Sequence, residues 1–264
     1  MYAFNYIKPA SLGEAAAALS RGGEAKLLAG GQSLIAALKL RLSAPTDLID
    51  LAGIPELAGI KLEGSAITIG AMTRHAEVAR STDVQAKIPA LAGLAAGIGD
   101  RMVRNMGTLG GSLAHNDPVA DYPAAVLGLD ATVSTNLRNI AADDFFKGMF
   151  ETALRPGEII VSVSFPVPRR AAYVKFKNPA SRYAIVGVFA AQTAGGVRVA
   201  VTGAASSVFR IAEMETALAA KWSPDAVAGI SVPADKLNAD MHASAEYRAH
   251  LVTVMARRAV AAAS

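Results

Sequence analysis

Apolar and polar positions along the first part of the chain predict short strands separated by helices. Residues 12–19 are rich in Ala and Leu, and Ser11 stands three positions before Glu14, which is the pattern of a capping box. Gly22 and Gly23 follow this stretch, and glycine favours the end of a helix. The pattern therefore predicts a helix over residues 12–19.

Short apolar runs then predict two strands around a second helix. Residues 26–29 and 48–51 are mostly apolar and are bounded by turn-forming residues, as in buried strands. A helical pattern lies between them at residues 33–39, so the first fifty residues predict a βαβ unit. Beyond it the period becomes two, and residues 60–69 predict a hairpin.

The centre of the chain mixes both periods. Helices are predicted at residues 73–80, at 88–98 and near 122–127, and strands near 131–135 and at 158–165. Thr73 is expected to cap the first of these helices. Residues 99–121 are rich in Gly, Asn and Asp, which is typical of a loop.

A Pro- and Arg-containing segment at residues 166–170 predicts a linker to a second, smaller unit. Three strands are expected there, at residues 173–176, 184–192 and 197–202, with Gly195 and Gly196 turning the last hairpin. Two helical stretches follow. The last carries an apolar stripe typical of core packing, formed by Tyr247, Leu251, Met255 and Ala259.

Composition indicates much covered surface, either core or subunit interface. The 264 residues are 52% hydrophobic and 18% charged, with a mean hydropathy of +0.33, which excludes a disordered chain. Charges interrupt each apolar run before the ~20 residues that span a bilayer. The N-terminus lacks the apolar stretch of a secretory signal, so we expect a cytoplasmic protein without a transmembrane segment. A net charge of +4 without a Lys/Arg block argues against nucleic-acid binding.

The sequence contains no cysteine. Disulfides, cysteine nucleophiles and iron–sulfur clusters held by this chain are therefore excluded. The four histidines, His75, His115, His242 and His250, are far apart in the sequence. Because metal sites favour clustered ligands, no metal site is predicted.

The segment from Leu28 to Leu34 joins a predicted strand to a predicted helix through a glycine pair. Backbone N–H groups at a helix N-terminus attract phosphate oxygens, and glycines let a diphosphate approach the backbone. This candidate cofactor segment consists of Leu28, Ala29, Gly30, Gly31, Gln32, Ser33 and Leu34. A helix-capping turn without a ligand fits this feature as well.

A second glycine-rich segment lies in the predicted central loop. It has more glycines than a plain β-turn needs, and two hydroxyl groups stand beside them. Its candidate residues are Gly107, Thr108, Gly110, Gly111 and Ser112. Asp117 and Asp121 follow; a carboxylate suits the hydroxyls of a ribose or ribityl group, although both residues are also placed to cap helices. Two such segments suggest a large dinucleotide.

Five motifs in this order resemble the FAD-binding medium subunit of the molybdenum hydroxylases. That family includes carbon monoxide dehydrogenase, aldehyde and glyceraldehyde oxidoreductases and the flavin domain of xanthine dehydrogenase. The motifs lie at residues 29–33, 70–75, 108–112 with Asp121, 176–184 and 240–248, so the resemblance covers nearly the whole chain. It departs from the family at Arg74, where Thr is common. At the neighbouring His75 we expect a structural hydrogen bond.

The resemblance implies an α+β fold. An FAD-binding domain of the PCMH-like type would occupy residues 1–168, in subdomains of about 1–56 and 57–168. A small C-terminal domain at 169–264 would contain a three-stranded antiparallel sheet with helices.

The resemblance also implies how FAD is held. Residues 29–33 and 108–112 would hold the diphosphate, and Asp121 the hydroxyls of the sugar portion. Ile98 would lie against a ring system, and Ile160 and Lys177 would lie near the cofactor. Lys177 is equally compatible with an exposed strand lysine, and Tyr183 with either flavin stacking or core packing.

The function implied is electron transfer by FAD, without a catalytic residue of this chain acting on a substrate. A [2Fe–2S] small subunit would pass electrons from a molybdopterin-binding large subunit to FAD, and an external acceptor would take them from there. The assembly implied is a dimer of heterotrimers. A self-contained flavin oxidase and a non-catalytic nucleotide-binding scaffold are the two alternatives.

Overall fold

Three short parallel strands form the N-terminal sheet of the computed structural model, which describes residues 1–21 and 23–263. The elements of this unit are β1 (Asn5–Ile7), α1 (Leu12–Leu19), β2 (Ala25–Leu28), α2 (Leu34–Lys39) and β3 (Asp47–Asp50). The strand order is β1-β3-β2, and both pairings are parallel. The predicted βαβ unit is therefore confirmed, with Ser11 capping α1 through the N–H of Glu14. Gly22, predicted to help end α1, lies outside the described residues.

The central unit is built on a five-stranded antiparallel sheet in the order β4-β5-β10-β6-β7. Its strands are β4 (Ile60–Glu63), β5 (Ala66–Gly70), β6 (Thr132–Thr135), β7 (Asn139–Ala141) and β10 (Ile160–Pro166). A short hairpin of β8 (Phe146–Gly148) and β9 (Glu151–Thr152) lies between β7 and β10. The hairpin predicted at residues 60–69 is confirmed as β4–β5.

Seven helices pack around this sheet in the described part of the chain. They are α3 (His75–Arg80), α4 (Thr82–Lys87), α5 (Pro89–Ala96), α6 (Arg101–Met106), α7 (Leu109–His115), α8 (Tyr122–Gly128) and α9 (Ala142–Phe145). Thr73 does not cap α3, because its hydroxyl bonds the backbone of Gly59 and Arg74 takes the capping position.

The loop predicted at residues 99–121 is wrong for much of its length, because α6 and α7 lie within it. Two of the polar residues in this stretch cap its helices. The Asp100 side chain accepts the N–H of Val103, and the Thr108 side chain accepts the N–H of Gly111. Composition alone therefore predicted a loop, although two short helices follow these capping residues.

The C-terminal unit is an antiparallel sheet covered by two helices. Its elements are β11 (Arg170–Lys177), β12 (Ala184–Thr193), β13 (Gly196–Thr202), β14 (Phe209–Arg210), α10 (Ala212–Ala220) and α11 (Ala245–Ala262). The three long strands were predicted, and the two-residue β14 extends the sheet to four. On α11 the predicted stripe is buried at Leu251, Met255 and Ala259, whereas Tyr247 is 44% exposed.

Strand β12 joins the two large units because its faces belong to different cores. Val186, Val188 and Ala190 pack in the C-terminal core with α11, whereas Phe189 and Ala191 pack in the central core. The sheets change between β10 and β11, close to residue 168. The division into domains at residues 168 and 169, and the subdivision near residue 56, stay predictions.

The buried Glu158 carboxylate pairs with the partly exposed Arg138 guanidinium and so links the β6–β7 turn to the segment before β10. The Glu158 carboxylate accepts from the Arg138 guanidinium (Nε–Oε1 2.9 Å), from the Thr135 hydroxyl (2.8 Å) and from the Arg155 N–H (2.8 Å). The hydrogen bond with Arg138 is the main cause that lowers the pKa of Glu158 to about 2.

We predict that Gly128→Ala destabilises the fold by about 1–3 kcal/mol, because overpacking a filled core costs that much. A Cβ at Gly128 would lie 2.6 Å from Cδ1 of the buried Phe189 ring, at the contact between α8 and β12. Urea unfolding measures the change. Gly93→Ala is the matched control, since a Cβ there meets nothing within 4 Å on α5. Equal stability of the two variants would contradict this prediction.

The second prediction concerns pH. Since folding lowers the pKa of Glu158 to about 2, its stabilisation is present above the unfolded pKa of about 4.5 and is lost as the pH falls towards 2. Glu158→Gln should therefore lower the free energy of unfolding near neutral pH, and the difference from wild type should shrink near about pH 3. Glu24→Gln, at an exposed position, serves as the control. A difference independent of pH would refute the role of the charge.

Candidate cofactor-binding site

The two glycine-rich segments of the sequence lie against each other in the fold. A Cβ on Gly30 would lie 2.1 Å from the carbonyl oxygen of Met106 and 2.7 Å from Cα of Gly107. A Cβ on Gly111 would be 3.4 Å from Cβ of Ala29. Glycine at position 30 is therefore what allows the backbones of the two segments to touch.

The first segment presents free backbone donors. Gly31, Gln32, Ser33 and Leu34 stand at the N-terminus of α2, and their N–H groups have no acceptor within residues 1–21 and 23–263. The Ser33 side chain makes no capping bond, and both Gln32 and Ser33 are exposed. Gly31 has φ +70°, a conformation that suits glycine and turns successive N–H groups to one side. This geometry suits an anionic ligand such as a diphosphate.

The second segment differs, because most of its N–H groups are already used. Leu109 donates to Thr73 O (3.1 Å), Gly110 to Ala71 O (2.8 Å) and Gly111 to the Thr108 hydroxyl (3.2 Å). Gly110 is buried against β5, where a Cβ would lie 2.6 Å from that of Ala71. It is therefore a packing glycine between α7 and the sheet.

Only part of the second segment is exposed to solvent. Gly111 and Ser112 are partly exposed at the first turn of α7, whereas Gly107, Thr108 and Gly110 are buried. Without a Cβ at Gly111, a ligand held by the first segment can come close to this helix.

His75 packs against the start of this segment. The residue is 5% exposed, and a Cβ on Gly107 would lie 2.6 Å from its Nε2 atom. The structural hydrogen bond expected for His75 is not made at Nδ1, because this atom has no partner in the described chain. Burial, and then the charge of Arg104, lower the pKa of His75 to about 4, so the ring is neutral at neutral pH.

Asp121 is buried between the central and the C-terminal units. Its carboxylate accepts from the Tyr173 hydroxyl (2.5 Å at Oδ1) and from the Lys175 ammonium (3.0 Å at Oδ1, 2.9 Å at Oδ2). It makes no capping bond to α8, so the capping alternative is wrong for this residue. Burial raises the pKa of Asp121, while Lys175 and Tyr173 act to lower it. An ionised carboxylate has room for about four hydrogen bonds, so capacity remains for a ligand hydroxyl.

Asp117 lies four residues before Asp121 and forms a local turn. Its Oδ1 accepts the N–H of Val119 at 3.0 Å. Burial, and then the charges of Asp117 and Asp121, raise the pKa of Tyr183. The Tyr183 ring itself is 52% exposed, so core packing is wrong for it.

The remaining predicted residues lie around this centre or away from it. Ile98 is partly buried just after α5 and packs against the central core, to which the buried Ile160 also belongs. Lys177 is exposed at the end of β11, past an irregularity in the pairing with β12. Leu28 and Leu34 are partly buried on either side of the first segment.

Two residues of the site were missed in the sequence. Tyr173 and Lys175 alternate along β11, so they share one face of the strand, and that face is covered by the central unit. A lysine on a covered strand face needs an acidic partner, and that signal would have singled out Lys175.

The described chain offers no cluster of three or more His, Asp or Glu side chains that would suit a metal ion. None of its helices is long and apolar enough to cross a membrane.

The contact between the two segments gives a third prediction. Gly30→Ala should lower the free energy of unfolding by about 1–3 kcal/mol, because the Cβ would push the segments apart. Gly13→Ala, in α1 with nothing within 4 Å of its Cβ, is the control. Urea unfolding distinguishes them, and an unchanged Gly30→Ala protein would show that the segments are not in close contact.

Comparison with known proteins shows which family the chain is similar to. The family described as FAD binding domain in molybdopterin dehydrogenase matches residues 2–168. The carbon monoxide dehydrogenase medium chain of Hydrogenophaga pseudoflava is 37% identical over 281 residues, covering 98% of this chain and 96% of the relative. The nicotine 6-hydroxylase medium subunit of Paenarthrobacter nicotinovorans is 35% identical over 272 residues, covering 98% and 96%.

Solved structures lead to the same family. A chain of quinoline 2-oxidoreductase from Pseudomonas putida 86 superposes with a TM-score of 0.88 at 30% identity, covering 98% of this chain and 96% of that chain. The α+β fold and FAD as the cofactor, both expected from the sequence, are thereby confirmed. The chain belongs to the family of FAD-binding medium subunits of the molybdenum hydroxylases.

Proposed function

We propose that this chain is the FAD-carrying electron-transfer subunit of a molybdenum hydroxylase or dehydrogenase complex. The observation that carries the proposal is the meeting of the two glycine-rich segments, at which N–H groups without an acceptor in the described chain stand at the N-terminus of α2. Such a place suits a diphosphate, and the Asp121 carboxylate is of the type that accepts hydrogen bonds from the sugar hydroxyls of the same ligand.

The residues present fit FAD, and the proposal gives each a part. The N–H groups of Gly31, Gln32 and Ser33 hold the diphosphate from one side. Gly111 and Ser112 border it from the other. Leu28, Ala29, Gly30 and Leu34 shape the first segment, and Gly107, Thr108 and Gly110 shape the second.

Further residues surround the sugar and the rings in this proposal. Asp121 accepts hydrogen bonds from hydroxyls of the sugar portion, and Asp117 lies beside it. Ile98 and Ile160 supply apolar surface for a ring, and Tyr183 covers a ring face. The exposed Lys177 adds positive charge at the rim. When bound, FAD supplies the redox chemistry, while the protein binds it, orients it and limits its contact with water.

The proposed partners follow from the names of the relatives. The similar proteins are named medium chains or subunits, which fits one larger and one smaller partner. We propose a molybdopterin-binding large subunit and a [2Fe–2S] small subunit, assembled as a dimer of heterotrimers. A chain without cysteine needs a partner to hold an iron–sulfur cluster.

Substrate choice is assigned to a partner chain in this proposal. The relatives and the solved structure are named for carbon monoxide, nicotine and quinoline, which are chemically unlike. Chains similar to this one therefore carry the names of different substrates. The external electron acceptor is proposed to be a quinone, oxygen or NAD⁺, and a cytoplasmic location is part of the same proposal.

We predict that the purified chain takes up FAD and shows the visible absorption of a bound flavin. Asp121→Ala should weaken FAD binding by about 1–3 kcal/mol, because a charged hydrogen-bond partner is lost. Calorimetric titration measures the change, with Asp144→Ala at an exposed position as the control.

Several outcomes would contradict the proposal. No FAD uptake by the chain, alone or with co-expressed partners, would refute the cofactor role. Turnover of an organic substrate by the chain alone would favour the self-contained flavin oxidase. Unchanged affinity in Asp121→Ala would remove this residue from the site.

A further inference from the structure

Lys175 makes three polar contacts from a buried position on β11. Its side chain is 9% exposed, and its ammonium group lies 2.9 Å from Oδ2 and 3.0 Å from Oδ1 of Asp121. The same nitrogen lies 3.0 Å from the carbonyl oxygen of Gly97. An ammonium group has three N–H donors, so all of them are used.

These contacts reach two segments that are separate in the sequence. Gly97 follows α5 directly and precedes Ile98, whereas Asp121 directly precedes α8. Gly97 also lies at the C-terminal end of its helix, where the helix dipole favours a positive charge. Tyr173, on the same face of β11, holds the same carboxylate through its hydroxyl.

We propose that Lys175 is a positioning residue of the FAD site, by which the C-terminal unit fixes the Asp121 carboxylate relative to the end of α5. The inference rests on the proposed function, because Asp121 and Ile98 are two of the positions assigned there to the cofactor. Lys175 acts on FAD through Asp121 and does not itself bind the cofactor.

The geometry distinguishes Lys175 from the lysine expected from the sequence. Lys177 lies two residues further along β11, past the irregularity at Phe176, and is exposed to solvent. Lys175 is therefore the lysine that the fold places at the carboxylate.

The environment of Asp121 explains why a positioning lysine is needed. A buried carboxylate without a partner is unfavourable and takes up a proton instead. Lys175 and Tyr173 from β11 contact the Asp121 carboxylate, and its charge also acts on Tyr183, in the turn after β11, and on the adjacent Tyr122. The pKa values of all three tyrosines are raised, so they stay neutral and Lys175 supplies the positive charge.

Losing Lys175 should therefore change how FAD binding responds to pH. Burial already raises the pKa of Asp121, and without the ammonium group that pKa rises further. A protonated Asp121 offers fewer acceptor sites to the sugar hydroxyls. FAD affinity of Lys175→Met should then fall as the pH is lowered, and this fall should begin at a higher pH than in the wild type.

The test is a double-mutant cycle on the full chain, with FAD affinity measured by titration. Lys175→Met and Asp121→Asn should each weaken binding roughly 10- to 100-fold, as expected for hydrogen bonds to charged groups. The double variant should bind about as weakly as Asp121→Asn alone, since one residue acts through the other. Lys175→Arg should recover part of the affinity, and Lys61→Met, at an exposed lysine on β4, should match the wild type.

A folding defect does not block this test. If Lys175→Met is unfolded because its buried carboxylate has no partner, Asp121→Asn and the double variant lack that charge and are compared directly. A further loss of affinity in the double variant would show that Lys175 contacts FAD and would overturn its positioning role. Normal affinity and a flat pH profile in a folded Lys175→Met protein would overturn it too. Failure of the wild type to bind FAD would instead refute the proposed function itself.

Discussion

The site depends on a backbone contact that admits no side chain. Gly30 lies so close to the carbonyl oxygen of Met106 that any Cβ would overlap it. This contact joins the N-terminal parallel sheet to the helical layer of the central unit. Because it is made by backbone atoms, the positions of the free N–H groups in the first segment are set by the main chain, which is less mobile than side chains.

The two glycine-rich segments look alike in the sequence and differ in the fold. The N–H groups of residues 31–34 have no acceptor in the described chain. Those of Leu109 and Gly110 donate to backbone carbonyl oxygens of Thr73 and Ala71. The first segment therefore leaves N–H donors open, and the second packs closely against the end of β5. Glycine serves both purposes, through its free conformation in one case and its lack of volume in the other.

The C-terminal unit takes part in the site without carrying a glycine-rich motif. Its strand β11 sends Tyr173 and Lys175 to Asp121, and the Thr202 hydroxyl of β13 lies 2.6 Å from the carbonyl oxygen of Ala120. The segment before α8 is thus held from the C-terminal sheet. A buried carboxylate at such a junction couples the arrangement of the two units to its own charge.

Many of the local elements, and the candidate residues of the cofactor site, could be predicted from the sequence. Periodicity and capping residues predicted α1, the β4–β5 hairpin and the three long C-terminal strands, because those signals act between neighbours in the chain. The two segments and Asp121 were found by composition and by resemblance. The prediction of a loop at residues 99–121 was wrong because the same types of polar residue occur at helix caps and in loops.

Which of these residues meet could be seen only in the fold. Whether an N–H group is free for a ligand depends on where distant carbonyl groups lie, as Ala71 shows for Gly110. Whether Lys175 or Lys177 faces Asp121 depends on which side of β11 is covered and on an irregularity in its pairing. Such contacts join residues far apart in the chain, so no local pattern in the sequence contains them.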